Sequence, residues 1–91
     1  MNRERFIKLP VTLVEITSFR GKDYLDRDTL MYRYFFCDEE GNRFVWNTGK
    51  RLSYKRFSKC LLSATPLGPA RYSYPTTSVT RGKVYDAPTE S

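Results

Sequence analysis

The sequence predicts an all-β fold, a five-stranded barrel of Greek-key type with little or no helix. Three observations lead there. β-Branched and aromatic residues gather in five short segments; the breaks between them are rich in Gly, Pro and Asp; and no 3.6-residue apolar stripe of helical length runs through the chain. With 91 residues the chain can build one core and not two. One domain is therefore expected over residues 10–86, with an N-terminal arm at 1–9 and a flexible tail at 87–91.

The first strand is expected over residues 11–19, directly after Pro10, which a strand tolerates best at its start. Its apolar parity changes between Leu13 and Val14, so a bulge or a bend across two faces is expected there. Residues 20–29 turn polar, with Gly21, Asp23, Asp26 and Asp28, and read as a loop. Residues 30–37 and 42–48 flank Asp38-Glu39-Glu40-Gly41, a short turn whose glycine can take positive φ, and together they predict a hairpin.

If Phe36 opposes Phe44, then Tyr34 opposes Trp46 and Tyr32 opposes Thr48 on one face, while Arg33, Phe35, Cys37, Arg43, Val45 and Asn47 share the other. Both faces carry aromatics, and a one-residue slip exchanges them, so the pattern leaves open which face is core. Residues 49–59 hold five basic side chains with Leu52, Tyr54 and Phe57 as anchors, and read as a loop or short helical turn. A fourth strand is expected over 57–65, ended by Pro66, Gly68 and Pro69; residues 67–77 then form a long connection, and a fifth strand covers 78–85. Five strands in this length fit the OB fold better than a sandwich of about seven, with a Src-homology-type barrel as the nearest competitor.

Composition removes most catalytic chemistry. There is no histidine and there are two cysteines, Cys37 and Cys60, so no ordinary zinc cluster, Cys-His dyad or Ser-His-Asp triad can be assembled. No carboxylate pair is placed for acid-base work, Asp23, Asp26 and Asp28 lack the glycine and later glutamate of a calcium loop, and Gly49-Lys50 has Phe44 where a phosphate-binding loop needs its first glycine. The chain therefore reads as a non-enzyme with no metal or cofactor. The cysteines, set among apolar residues, read as buried free thiols. No secretory signal, lipidation box or membrane span is visible, and cytoplasmic residence without membrane contact is the expectation.

Charge and aromatics point to a partner. The net charge is +6, and the chain has one Trp, seven Tyr and six Phe. The charge is uneven: residues 1–45 balance eight basic against eight acidic side chains, whereas residues 46–91 carry eight basic and two acidic, with none acidic between Trp46 and Tyr85. A single-sign strip attracts polyanions, and aromatic rings supply stacking surface for unpaired bases. On this reading Tyr32, Tyr34, Phe44 and Trp46, or their neighbours on the opposite face, are candidate stacking residues. Arg33, Arg43, Lys50, Arg51, Lys55, Arg56, Arg71, Arg81 and Lys83 are candidate phosphate contacts, and Tyr72 and Tyr74 candidate base contacts from a loop.

The order of Phe36 to Thr48, then Leu61-Leu62-Ser63-Ala64-Thr65, then Thr76-Thr77-Ser78-Val79-Thr80-Arg81-Gly82-Lys83-Val84, resembles small OB-fold modules of bacteriophage and mobile-element replication proteins. The resemblance spans roughly residues 30–85. It departs at Pro66 to Tyr72, where similar proteins carry Lys, His and a Tyr-x-Gly turn. It implies binding of single-stranded DNA or RNA without catalysis. The expectation is a single-stranded nucleic-acid-binding protein, DNA favoured, in phage or mobile-element replication or recombination, with a replication protein as a further partner; exposed strand edges of a partly open barrel add a homodimer to the expected partners. The alternative is a small protein-interaction barrel, or an inhibitor, whose basic face docks an acidic protein.

Overall fold

The computed structural model describes residues 5–72 and 75–87. Five strands, β1 (Phe6–Lys22), β2 (Asp28–Asp38), β3 (Arg43–Thr48), β4 (Lys59–Arg71) and β5 (Pro75–Asp86), close a barrel in the order β1-β2-β3-β5-β4. Every pairing is antiparallel except β3 with β5, which run parallel because β4 is routed to the far side of β5 before the chain returns. This is the Greek-key barrel of the OB fold. Among the described residues there is no helix, and so none long and apolar enough to cross a membrane.

The β2–β3 register is the expected one, with Phe36 opposite Phe44, Tyr34 opposite Trp46 and Tyr32 opposite Thr48. The parity change in β1 is a bulge: pairing with β2 shifts between Leu13 and Glu15, so Val14 is the extra residue. Leu13 then opposes Phe36 in the core, and Ile16 opposes Tyr34 with its side chain exposed at the rim. The core is Val11, Leu13, Tyr34, Phe36, Phe44, Trp46, Cys60, Leu62, Ala64 and Val79. Asp38 shapes the β2–β3 turn by accepting from the Glu40 and Asn42 backbone N–H groups, with Gly41 at φ 85°.

Three boundaries differ from expectation, each because a strand finds a partner that local sequence does not reveal. Residues 6–9, expected as an arm, extend β1: Phe6 opposes Ala64, Leu9 opposes Leu62, and the Phe6 ring lies 5.2 Å from that of Phe44. The polar stretch 20–29 is mostly ribbon, since β1 and β2 remain paired out to Lys22 and Asp28. Its tip is held by Asp23, which accepts from the Leu25 and Arg27 N–H groups and the Arg27 Nε; these bonds hold its carboxyl below the usual value.

The third difference is at Pro66, where β4 does not end. It continues to Arg71, with Pro66 opposite Val79 and Pro69 opposite Thr77. Among the described residues, pairing of β4 with β1 stops at Ala64, so there the prolines have β5 as their one strand neighbour, and the missing N–H groups break no second ladder. The expected long connection is therefore a β4–β5 ribbon; Ser73 and Tyr74 lie outside the described residues.

Trp46 packs directly on the backbone of Gly82. A Cβ at position 82 would sit 2.7 Å from Trp46 Cε2 and 2.8 Å from Cδ2, closer than carbon atoms approach, so the indole requires glycine there. Gly82→Ala is expected to destabilise the fold by about 1–3 kcal/mol through overpacking. Urea unfolding followed by Trp46 fluorescence checks this: the midpoint falls at unchanged slope. A midpoint equal to that of the wild type contradicts the packing.

Candidate functional site

With Tyr34, Phe36, Phe44 and Trp46 turned inward, the pleat turns Arg33, Phe35, Arg43 and Asn47 outward. Arg33 opposes Asn47 across the strands and donates from Nε to Asn47 Oδ1 at 2.9 Å. Its guanidinium lies 4.6 Å over the ring of Phe19, from the β1–β2 ribbon. Two residues along β2, Phe35 meets Tyr72 edge to face, with centroids 5.2 Å apart and planes at 87°. Tyr72 comes from the β4–β5 ribbon and keeps 40% of its surface exposed. Val45 shares this outer face and is nevertheless 1% exposed. A groove of about 200 Å³ runs here between Glu15, Phe35, Arg43, Tyr72 and Thr76.

A second concavity lies at one mouth of the barrel, under residues 49–58. This loop has no regular structure, yet it is tied down at several points. The buried Tyr34 hydroxyl donates to the Lys50 carbonyl and accepts from the Leu52 N–H, both at 2.8 Å. The Tyr54 hydroxyl donates to Asp86 Oδ1 at 2.7 Å, and that bond, with desolvation second, pushes its pKa up to about 12. The Leu13 backbone binds the far end of the loop, donating to the Ser58 carbonyl and accepting from the Phe57 N–H. Arg56 Nε donates to the carbonyl of the bulge residue Val14 at 2.9 Å. The open concavity of about 700 Å³ is walled by Ile16, Tyr32, Tyr34, Leu52 and Tyr54, with Arg51 and Lys55 on its lining.

These positions sort the sequence-derived candidates. Arg43 and Tyr72 come together in the outer-face groove, with Arg33 on the same face further along β2, and Tyr32, Arg51 and Lys55 come together at the mouth, with exposed Lys50 next to Arg51 in the chain. Tyr34, Phe44 and Trp46 are corrected: they pack the barrel interior at 1%, 9% and 6% exposure, too little for a ring face to stack on a base, although Phe44 borders the outer groove and Tyr34 the mouth. Arg56 serves as a tether of the loop, with its guanidinium 4.8 Å over the Phe57 ring.

Arg81 and Lys83 are not part of either concavity. They sit where β5 pairs with β4, Lys83 opposite Ser63, and Arg5 Nη1 donates to the Arg81 carbonyl at 2.9 Å. Arg71 ends β4 opposite Pro75, and Tyr74 lies outside the described residues. Phe19 and Phe35 are additions. Phe35 shares the parity of Arg33 and Arg43, the signal that places it, whereas Phe19 reaches the face only through the β1–β2 register.

Both cysteines are free thiols, Cys60 buried and Cys37 half-buried. Burial pushes the Cys60 thiol up to about 11, so it stays protonated at neutral pH and is no nucleophile. The loop depends instead on the Tyr34 hydroxyl. Tyr34→Phe keeps the ring and removes both bonds, with an expected loss of about 1–3 kcal/mol. Amide exchange resolves the effect: Leu52 exchanges faster while the β2–β3 ladder keeps its protection relative to global stability, and unchanged exchange at Leu52 contradicts the tether. Comparisons of the chain with protein-family models, with curated proteins and with solved structures gave no match.

Proposed function

We propose that the protein binds single-stranded nucleic acid, DNA favoured, along the outer face of β2 and β3, without catalysing a reaction. The observation that carries this reading is the pairing on that face of Arg33 over Phe19 with Phe35 against the exposed Tyr72, one cation and three rings, with Arg33 and Phe35 two residues apart on β2. OB folds bind oligonucleotides on the β2–β3 face between the β1–β2 and β4–β5 connections, and here both connections are paired ribbons that flank it. Ring faces such as those of Tyr72 and Phe35 gain from unstacked bases, which a duplex does not offer. The absence of carboxylates between Trp46 and Tyr85 favours a polyanion over a neutral oligosaccharide. A role in phage or mobile-element replication or recombination rests on the resemblance of the strand pattern alone.

The test is fluorescence anisotropy of a labelled thymidine oligonucleotide over a salt series, with duplex as competitor. Wild type binds the single strand in preference to duplex, and affinity falls as salt rises. Tyr72→Ala weakens binding by about 1–3 kcal/mol at little change in salt slope, as expected for loss of one stacked base. Arg33→Gln lowers the slope by about 0.7, one phosphate contact. No binding even at low salt overturns the proposal and leaves the docking of an acidic protein as the reading to pursue.

A further inference from the structure

The geometry points to a second subsite: the mouth cavity under residues 49–58 takes one nucleotide of a strand that continues from the β2–β3 face. This rests on the nucleic-acid reading above and extends it to a place that neither the β2–β3 face nor its flanking ribbons include.

Four observations carry it. The cavity, at about 700 Å³, has the size of a small-molecule site, and a loop rather than a helix covers this end of the barrel. Its walls are ring and apolar surface from Tyr32, Tyr54, Ile16 and Leu52, the chemistry that holds a base. Arg51 and Lys55 lie on the lining, both exposed, and among the described residues no carboxylate lines the cavity; the nearby Asp86 carboxylate accepts the Tyr54 hydroxyl. Finally, the two sites are neighbours along the β2–β3 ladder. Arg33 opposes Asn47 on the outer face; the next pair, Tyr32 with Thr48, turns to the cavity side, and Thr48 Oγ1 accepts the Lys50 N–H at 3.1 Å, so a strand passing over the rim at this pair goes from Arg33 to the cavity wall.

The loop is built to keep this shape. Tyr34 fixes its start, Tyr54 its middle and the Leu13 backbone its end, so the walls need little ordering when a ligand enters. In the bound state the base lies against Tyr32 and Tyr54, and its phosphate meets Arg51 and Lys55.

The experiment uses oligonucleotides carrying a single 2-aminopurine, moved one position at a time, with wild type and the Arg51→Gln/Lys55→Gln double variant. Both replaced side chains are solvent-exposed, and circular dichroism verifies that the variant keeps its fold. Wild type is expected to alter the fluorescence at the face positions and at one further position beyond them. The double variant loses the change at that position alone, and its salt slope falls by about 1.4, two phosphate contacts at about 0.7 each.

A double variant whose positional profile matches wild type overturns the subsite, whether or not its slope changes, because Arg51 and Lys55 then supply only a general field; the outer-face reading survives that result. Wild type that binds none of the oligonucleotides overturns both readings together.

Discussion

The contact of Trp46 with the backbone of Gly82 decides which way the barrel wall faces. Trp46 sits on β3, Gly82 on β5, and only glycine leaves room for the indole. Once Trp46 is inside, the two-residue period of β3 and its register with β2 put Tyr34, Phe36 and Phe44 inside with it, and send Arg33, Phe35, Arg43 and Asn47 out. The character of the outer face, a row of cations interleaved with one ring that Phe19 and Tyr72 extend, is thus a consequence of core packing.

The inner row also reaches beyond the core. Tyr34 is the largest of the fully buried side chains, and its hydroxyl, at the edge of the interior, holds the backbone of residues 50 and 52. A buried polar tip demands partners, and here the partners belong to the basic loop. One side chain therefore packs the barrel and positions Arg51, so the stability of the fold and the shape of the mouth are coupled through it.

Much of the architecture is legible in the sequence, and the illegible parts share one cause. The β2–β3 hairpin is set by a local turn, Asp38 to Gly41, and the bulge at Val14 shows as a parity change within nine residues. The choice of core face is not legible there, because Phe35 and Val45 on one side look as apolar as Tyr34 and Trp46 on the other; Gly82, more than thirty residues on, settles it. Likewise Pro66 and Pro69 read as a strand end, since nothing local says that β4 has lost its β1 neighbour by then. The charge run after Trp46 reads as one strip in the sequence, but closure of the barrel distributes it: Lys50, Arg51 and Lys55 go to the mouth, Arg56 to a tether, and Arg81 and Lys83 to the β4–β5 side.

The central claim is that bases meet the outward row of β2–β3 and never the inward one. Intermolecular nuclear Overhauser effects between a bound single-stranded oligonucleotide and the aromatic side chains test this most directly. The account predicts contacts from base and sugar protons to the rings of Phe35 and Tyr72, with none to Trp46 or Phe44. Contacts to the Trp46 indole, or contacts confined to the surface around Arg81 and Lys83, would contradict it.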